Sequence, residues 1–248
     1  MERDDRPAVA TFFADAPLVR GARVSLSDAA AHHARVKRLE IGDAVRLTEG
    51  RGTIGLGTLV ELRKNLGEVL IKDLQSVRSQ PPIHLRVPIG DRDRMLWLAE
   101  KAAELGVTTW QGIRFRRSMS VSPRGEGPAF AEKIRARMIS ALEQSGGAWL
   151  PEILPDAAIG SIAVPAARAE RILLDALGDP PAIDARLPGG AEPMILFGPE
   201  GGVEPDERDA LVSDGWRLTR LASTTLRFET AGIAAVAVVR AVQMAQER

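Results

Sequence analysis

The sequence contains no cysteine, no tyrosine and only three histidines among its 248 residues. The lack of cysteine excludes disulfides, thiolate metal sites and cysteine nucleophiles, and is typical of proteins of the reducing cytoplasm. With His32, His33 and His84 as the only imidazoles, no multi-histidine metal site is expected. Because 33 lysines and arginines are balanced by 33 aspartates and glutamates, any nucleic-acid-binding surface must be local.

Long apolar runs are also missing. The first residues, "MERDDRPAVATFFADAP", carry acids early and lack the apolar centre of a secretory signal. The most apolar stretch, "AGIAAVAVVRAVQMA", is interrupted by Arg240 and is shorter than the ~20 residues that a membrane-spanning helix needs. We therefore expect a soluble, cytoplasmic protein with no membrane partner and no metal.

The first third of the chain is rich in short β-type runs. Within residues 43–75 these runs are separated by the turn signals "EGRG" and "KNLG". A helical stretch, "SDAAAHHARVKRL", precedes them, with Ser27 or Asp28 as its N-cap. The segment "GRGTIG" fits the glycine pattern of dinucleotide sites, but it continues as a strand, so we interpret it as a hairpin turn. This pattern predicts a small β-barrel or curled sheet with one helix.

The rest of the chain alternates strands and helices after a linker at residues 76–82. "IHLRVPI" and "TTWQGIRF" are predicted strands, each followed by an amphipathic helix, and "RILLDAL", "MILF" and "WRLTRL" are further strands. A helix is predicted to begin at Pro205, because proline is favoured at the first helical position, and another runs from Thr230 to Gln246. This alternation predicts an α/β domain with a parallel sheet.

Two segments concentrate positive charge. "HHARVKRL" contains Arg35, Lys37 and Arg38, and "IRFRRSMSVSPRG", at the end of a predicted strand, contains Arg114, Arg116 and Arg117. From Arg114 to Arg137 there are seven basic residues against two acids. Each segment has two interpretations. It is either a solvated protein surface or a contact with RNA phosphates, and such contacts position the RNA without reading its sequence.

Two glycine- or threonine-rich loops each lie between a predicted strand and a helix. In "LFGPEGG" the glycines either provide turn freedom alone or allow a ligand to approach the backbone at the sheet edge. Glu200 in that loop suits a cationic or hydroxylated ligand better than a phosphate. In "LASTTLRFETA", Arg227 and Glu229 are either a helix-terminal pair that contributes little or a charge pair beside the ligand.

Taken together, these segments resemble a known family. "FGPEGG" followed by L-x5-R-x-E-T-A resembles the SPOUT class of trefoil-knotted methyltransferases. More narrowly, the chain is similar to the family that methylates N3 of one uridine in 16S ribosomal RNA of the small subunit. "HHARVKRL", "DRMLWLAEKAAELGV", "RFRRSMSV" and "EQSGGAWLPEI" match further segments in the order of that family.

The resemblance implies a PUA-like, RNA-binding β-barrel over residues 1–75 and a trefoil-knotted methyltransferase domain over residues 83–248 that forms a homodimer. It implies 16S ribosomal RNA or the small subunit as substrate and S-adenosylmethionine as cofactor, held by two loops and by the end of "RILLD". The implied cofactor-binding residues are Leu174, Leu196, Phe197, Gly198, Glu200, Gly201, Gly202, Leu221, Ala222, Ser223, Thr225 and Leu226. The small residues from Ala231 to Val239 imply close packing in the knot or a dimer interface.

The resemblance also frames the chemistry. Uridine N3 must lose a proton, and the chain has neither cysteine nor tyrosine, while His84 is far in sequence from both loops. We therefore expect Glu229 as proton acceptor or orienter and Arg227 as the group that stabilises charge on the uracil oxygens. The alternatives are a ribose 2′-O-methyltransferase of the same class and a catalytically weak RNA-binding protein of ribosome assembly. The chain departs from the family at Ala222 and Thr224, where glycine and arginine are usual, and at Gly147 to Trp149, where a basic residue is usual.

Overall fold

The computed structural model divides the chain into two compact units. One unit comprises Met1–Ser79 and Ile139–Leu150, and the other comprises Gln80–Met138 and Pro151–Arg248. The structure describes residues 10–64, 66–120, 122–164, 169–180 and 191–246. The assignment of Ile139–Leu150 to the first unit brings a distant stretch of sequence to the small sheet, a grouping that no sequence pattern indicated.

The first unit is a five-stranded sheet with one helix, as predicted. Its elements are β1 (Thr11–Phe13), β2 (Arg23–Ser25), α1 (Asp28–Val36), β3 (Ala44–Thr48), β4 (Thr53–Arg63) and β5 (Leu66–Ser76). The strand order is β1-β3-β4-β5-β2, with β1 parallel to β3 and the other pairs antiparallel. Apolar side chains such as Phe12, Leu47 and Leu59 are fully buried between sheet and helix.

Helix α1 begins as predicted and ends earlier than predicted. The Ser27 hydroxyl accepts a hydrogen bond from the amide of Ala30 at 3.2 Å, which caps the first turn. The helix ends at Val36, because Arg38 adopts the left-handed conformation with φ of 57°. Lys37 and Arg38 therefore follow the helix instead of continuing its face.

The "GRGTIG" segment is a hairpin turn, as predicted. It connects β3 to β4, which pair antiparallel. Gly50 and Gly52 have φ of 71° and 92°, values that residues with a side chain rarely adopt. The glycines are therefore explained by the turn, and no helix follows them.

The second unit is a six-stranded sheet in which all neighbouring strands run parallel. Its strand order is β11-β9-β10-β6-β7-β8. In chain order its elements are β6 (His84–Pro88), α2 (Arg92–Glu104), β7 (Thr109–Arg114), the first part of α3 (Pro128–Ser145), β8 (Glu152–Ala158), β9 (Ala169–Asp179), β10 (Glu192–Phe197), α4 (Pro205–Ser213), β11 (Arg217–Thr219) and α5 (Phe228–Gln246). The part of α3 from Ile139 onward belongs to the first unit. The predicted alternation is confirmed, and β8 is an addition. It is an edge strand, where Pro155 is tolerated.

The sheet lies between helices on both faces. Side chains alternate along β10, so Leu196 packs with Leu211 of α4 on one face and Phe197 meets Gly232 of α5 on the other. Helix α2 packs beside α5. By length and composition α5 could cross a membrane, but its buried side chains, among them Arg240, pack inside this unit, as in the core helix of a folded domain.

Buried polar residues occupy the amino-terminal end of the central strand β6. His84 lies 3.0 Å from the Thr109 hydroxyl through Nδ1 and 3.2 Å from the Glu192 carboxylate through Nε2. The Arg86 guanidinium, fully buried, donates to Thr109 at 3.0 Å and to the carbonyl of Ala163. Burial lowers the pKa of Arg86 to about 10. Burial also lowers the pKa of His84, more than the hydrogen bond to Glu192 raises it.

The burial of His84 predicts that the free energy of unfolding falls at acidic pH, because protonation of His84 is less favourable in the folded than in the unfolded protein. Because its pKa is lower in the folded state than its ordinary value of 6.5, its contribution is complete above pH 6.5 and is lost as pH falls from there through the folded pKa. We expect H84Q to flatten the pH dependence of the unfolding free energy between pH 7 and 5, measured by urea titration. A curve as steep as that of the unsubstituted protein would contradict this role.

Candidate active site

A cavity of about 400 Å³ lies at the carboxyl ends of β10 and β11 and beside residues 174–176 in the second half of β9. These three strands are adjacent and parallel, so their carboxyl ends and the loops that follow share one edge of the sheet, where α/β proteins bind ligands. Predicted residues from both loops and from β9 line it: Leu174, Phe197, Gly198, Gly202, Leu221, Ala222, Ser223, Thr225 and Leu226. The structure therefore brings together segments that are well separated in the chain.

The remaining predicted cofactor residues do not line the cavity. Leu196 is fully buried on the opposite face of the sheet, in the core cluster with α4, because the side chains of successive strand residues alternate. Glu200 turns to Arg94 of α2, with 3.7 Å between Oε1 and Nη1. Gly201 packs against the side chain of Arg117. The interpretation of Glu200 as the polar group that faces the ligand stays a prediction.

Arginines and hydroxyl groups supply the polar lining instead. Arg117, Arg208 and Arg220 line the cavity. The hydroxyl-bearing residues that line it are Thr219 at the end of β11 and Ser223, Thr224 and Thr225 of the second loop. Arg208 donates from Nε to Asp175 at 2.8 Å, and the other oxygen of that carboxylate accepts the amide of Leu177 at 2.8 Å. The cavity thus combines apolar walls with guanidinium groups, which suits a ligand that has a flat apolar part and an anionic end.

Arg117 holds the glycine loop in place. Its Nε and Nη2 donate to the two oxygens of Glu204 at 2.8 and 3.1 Å, and its Nη1 donates to the carbonyl of Gly201. A Cβ on Gly201 would lie 3.1 Å from that of Arg117, and Gly202 has φ of 79°. Gly201 thus allows the close approach of Arg117, and Gly202 allows the left-handed turn, so both glycines have a structural explanation.

The loop after β11 leads directly into α5, whose first turn borders the cavity. Phe228 and Ala231 line it, whereas Arg227 is exposed. Glu229 is 8% exposed, and its Oε2 is buried without a hydrogen-bond partner. No ion pair joins Arg227 to Glu229 in the part of the chain that the structure describes. A buried, unpartnered carboxyl oxygen costs stability, so Glu229 is a candidate for a role in function.

The basic segment after β7 is compensated by one local acid, Glu126, and by acids of α4 that its local sequence did not reveal. Arg114 lies 3.5 Å from Glu126, and Arg116 pairs with Asp206 and, at 3.8 Å, with Glu207 at the start of α4. A depression of about 460 Å³ lies along these pairs. The count of charges along the chain overstated the positive surface here, because α4 supplies the opposing carboxylates from almost a hundred residues away.

The other basic segment keeps its exposed positive charge. Arg35, Lys37 and Arg38 are exposed. The Arg35 guanidinium lies 3.3 Å from Nδ1 of the His32 ring. None of the three forms an ion pair with a carboxylate among the residues the structure covers. This surface belongs to the first unit and remains available for phosphate contacts.

Sequence reasoning missed several lining residues. Asp175 follows the predicted Leu174 directly, but its partner Arg208 lies on α4, and nothing in the sequence joins the two. The structure also places Arg220 in the cavity beside Ala222 and Thr224, so guanidinium groups are present although residue 224 is not arginine. Among the described residues, no group of three or more histidines and carboxylates could hold a metal ion.

The fold and the cavity define an α/β protein with a ligand site at the carboxyl edge of a parallel sheet. Residues 78–240 match the RNA methyltransferase domain family, and residues 26–72 match the RNA methyltransferase PUA domain family. The chain therefore belongs to the family of RNA methyltransferases with a PUA domain.

Individual relatives agree with this assignment. The chain is 24% identical over 226 residues to the ribosomal RNA small subunit methyltransferase E of Synechocystis sp., covering 89% of this chain and 73% of the relative. It is 25% identical, with a TM-score of 0.80, to a ribosomal RNA small subunit methyltransferase E from Neisseria gonorrhoeae crystallised with S-adenosylmethionine, covering 94% and 97% of the two chains. A putative methyltransferase from Legionella pneumophila, in complex with the same cofactor, gives 25% identity and a TM-score of 0.79 over 93% and 96%.

Proposed function

We propose that the protein transfers a methyl group from S-adenosylmethionine to N3 of a uridine in 16S ribosomal RNA of the small subunit. The observation that carries the proposal is the cavity at the carboxyl edge of the sheet, lined by the loops that the family pattern designates. Its support includes membership of the RNA methyltransferase family and the cofactor bound to the Neisseria gonorrhoeae relative.

The cavity residues fit this cofactor in size and chemistry. About 400 Å³ lies within the range of small-molecule sites. Phe197, Leu221 and Leu226 offer apolar surface for a purine. Arg220, which lines the cavity and has no ion pair among the residues that the structure describes, can bind the carboxylate of the cofactor's amino-acid part. Gly198 and Gly202 leave the backbone open to close approach.

The protein's task is then to align the reactants and to manage one proton. The bound cofactor supplies an activated methyl group on a sulfonium. Methyl transfer is an in-line displacement, so the walls of the cavity contribute by fixing the approach of the RNA base. We assign Glu229 Oε2 as the acceptor of the N3 proton, and the exposed Arg227 side chain as the group that stabilises the negative charge left on the uracil oxygens.

The proposal extends to the partners. Arg35, Lys37 and Arg38 of the first unit hold RNA phosphates, either of naked 16S ribosomal RNA or of the assembled subunit. Arg114, Arg116 and Arg117 take a smaller part, because each is already paired with a carboxylate. The homodimer, the trefoil knot and a cytoplasmic location, implied by the resemblance, remain parts of this proposal.

A methylation assay with a cavity-filling variant tests the function. Small subunits and 16S ribosomal RNA are incubated with the protein and the cofactor, and mass spectrometry of the nucleosides identifies the methylated atom. We expect 3-methyluridine, and at least a 100-fold lower rate for A231F, because the new ring occupies the cavity that Ala231 borders. The matched control is A245F, at an exposed position of the same helix.

The outcomes separate the alternatives. A 2′-O-methylated ribose would contradict the N3 assignment and favour the ribose methyltransferase. No methylation, combined with no cofactor binding by calorimetry, would favour the RNA-binding assembly protein. Equal rates for A231F and A245F would show that the cavity is not the reaction site.

A further inference from the structure

An exposed tryptophan stands on the first unit, outside the cavity. Trp149 is 42% exposed, although burial of its ring would be favourable. It lies in the segment Ile139–Leu150 that the structure assigns to the small sheet. Its backbone pairs with Arg51 of the β3–β4 turn in an antiparallel bridge.

The Trp149 ring is held rigidly. Its indole Nε1–H donates to the carbonyl of Val77 at 2.9 Å. On either side of it, the amide of Gly52 donates to the carbonyl of Ala148 at 2.8 Å and the amide of Leu150 donates to Gly50 at 2.9 Å. The ring is thus held by Val77, which follows β5, and the backbone that carries it is held by the turn between β3 and β4.

Gly52 lies against the Trp149 ring. A Cβ at this position would lie 2.3 Å from Cζ2 of Trp149 and 2.8 Å from Cε2. Only glycine leaves room for the ring this close to the backbone, and the φ of 92° at Gly52 favours glycine as well. The edge of the indole that carries Nε1 and Cζ2 is therefore held by Val77 and Gly52, and the exposed part of the ring meets solvent in a fixed orientation.

The surroundings of this ring are positively charged. Arg51 and Arg78, adjacent in sequence to Gly52 and Val77, are exposed. Neither forms an ion pair with a carboxylate among the residues that the structure describes. Residues 26–72, which include Arg51 and Gly52, match the RNA methyltransferase PUA domain. A fixed aromatic surface flanked by cations is the arrangement on which proteins stack bases of single-stranded nucleic acid.

We propose that Trp149 is a stacking platform for an unpaired base of the RNA, with Arg51 and Arg78 contacting the adjoining phosphates. This inference rests on the proposed function for the identity of the RNA. A tryptophan exposed and pre-oriented before binding loses little side-chain entropy when a base stacks on it. Stacking tolerates any base, so this platform adds affinity and position, while selection of the target uridine belongs to the cavity.

The test compares two exposed tryptophans in the full-length protein. Trp97 of α2 is 46% exposed and lies in the second unit, so W97L is the matched control for W149L. Fluorescence anisotropy with a labelled single-stranded RNA oligonucleotide, and then with 16S ribosomal RNA, gives the dissociation constants. We expect W149L to raise Kd about 5- to 100-fold, W149F to retain most of the affinity and W97L to leave it unchanged.

Two results would overturn the proposal. One is an unchanged Kd for W149L, and the other is an equal loss in W97L. If W149L fails to fold, the alternative measurement is the quenching of Trp149 fluorescence by the oligonucleotide in the W97F protein. Trp110 and Trp216 are buried, so Trp149 is then the tryptophan that the oligonucleotide can reach. An absence of quenching on saturation with RNA would then reject the platform.

The same experiments distinguish this inference from the proposed function. If N3 methylation is observed and W149L binds RNA normally, the platform alone is rejected. If no methylation occurs and RNA binding still depends on Trp149, the platform stands and the proposed reaction fails. R51Q and R78Q should each weaken binding more at low salt than at high salt, as phosphate contacts do.

Discussion

Replacement of Glu229 by glutamine is expected to lower the rate of methyl transfer about 100- to 10,000-fold, the usual contribution of a general base. The side chain is 8% exposed, follows Phe228 of the cavity wall, and keeps Oε2 without a hydrogen-bond partner. The amide has nearly the same shape but cannot accept the N3 proton. Single-turnover rates with saturating cofactor measure the loss, and calorimetry should show cofactor affinity within about threefold of the unsubstituted protein.

A methionine at the same position separates a functional role from a structural one. E229M removes a carboxyl oxygen that is buried without a partner, and apolar replacement of such groups is often neutral or stabilising. We therefore expect E229M to be inactive and at least as stable to urea as the unsubstituted protein. If E229Q keeps full activity, Glu229 is not the proton acceptor. If E229M loses stability and E229Q does not, the carboxyl contributes to packing instead.

Replacement of Arg240 by alanine is expected to lower the free energy of unfolding by about 3–5 kcal/mol. The guanidinium is buried and donates to the carbonyls of Pro81, Leu105 and Gly106 at 2.8, 3.1 and 2.7 Å, and to the side chain of Gln243 at 2.7 Å. Two of these carbonyls follow the end of α2, where a positive charge is favoured. Alanine would leave these acceptors buried and unpaired, and urea titration measures the cost.

The control for Arg240 is an arginine of similar chemistry at the surface. Arg217 pairs with Glu170 at 2.6 Å, but its side chain is 56% exposed, so R217A should cost less than about 1 kcal/mol. A second variant, R240K, keeps the charge and loses the fork of donors, and it should fall between the two. Equal stabilities of R240A and R217A would show that the network around α5 contributes little.

The order of strands and helices followed from the sequence because local patterns determine it. The alternation of apolar runs and amphipathic stretches predicted the parallel sheet, and Pro205 marked the first residue of α4 correctly. The hairpin at "GRGTIG" was equally local, since a strand follows the glycines. The end of α1 could not be predicted from a local pattern, because arginine as a residue type does not indicate the left-handed φ that Arg38 adopts.

The loops of the cavity were identified by their motifs, whereas the direction of each side chain was not. Leu196 and Phe197 are neighbours in the chain, yet only Phe197 reaches the cavity, because side chains on a strand alternate between faces. Glu200 looked like a ligand group when it was considered alone. In the folded chain it turns to Arg94, which lies on a helix that no local pattern connects to that loop.

The sequence by itself determined the fold class, the family pattern and the loops of the candidate site, since these depend on periodicity, turn residues and motifs within short windows. Only the tertiary structure decided which charged side chains form ion pairs and which buried polar groups have no hydrogen-bond partner. In the folded chain Arg116 pairs with Asp206, and Oε2 of Glu229 is buried without a hydrogen-bond partner. The Trp149 ring lies against Gly52. The reason is physical: ion pairing, burial and close approach depend on distances in space between residues that are far apart along the chain.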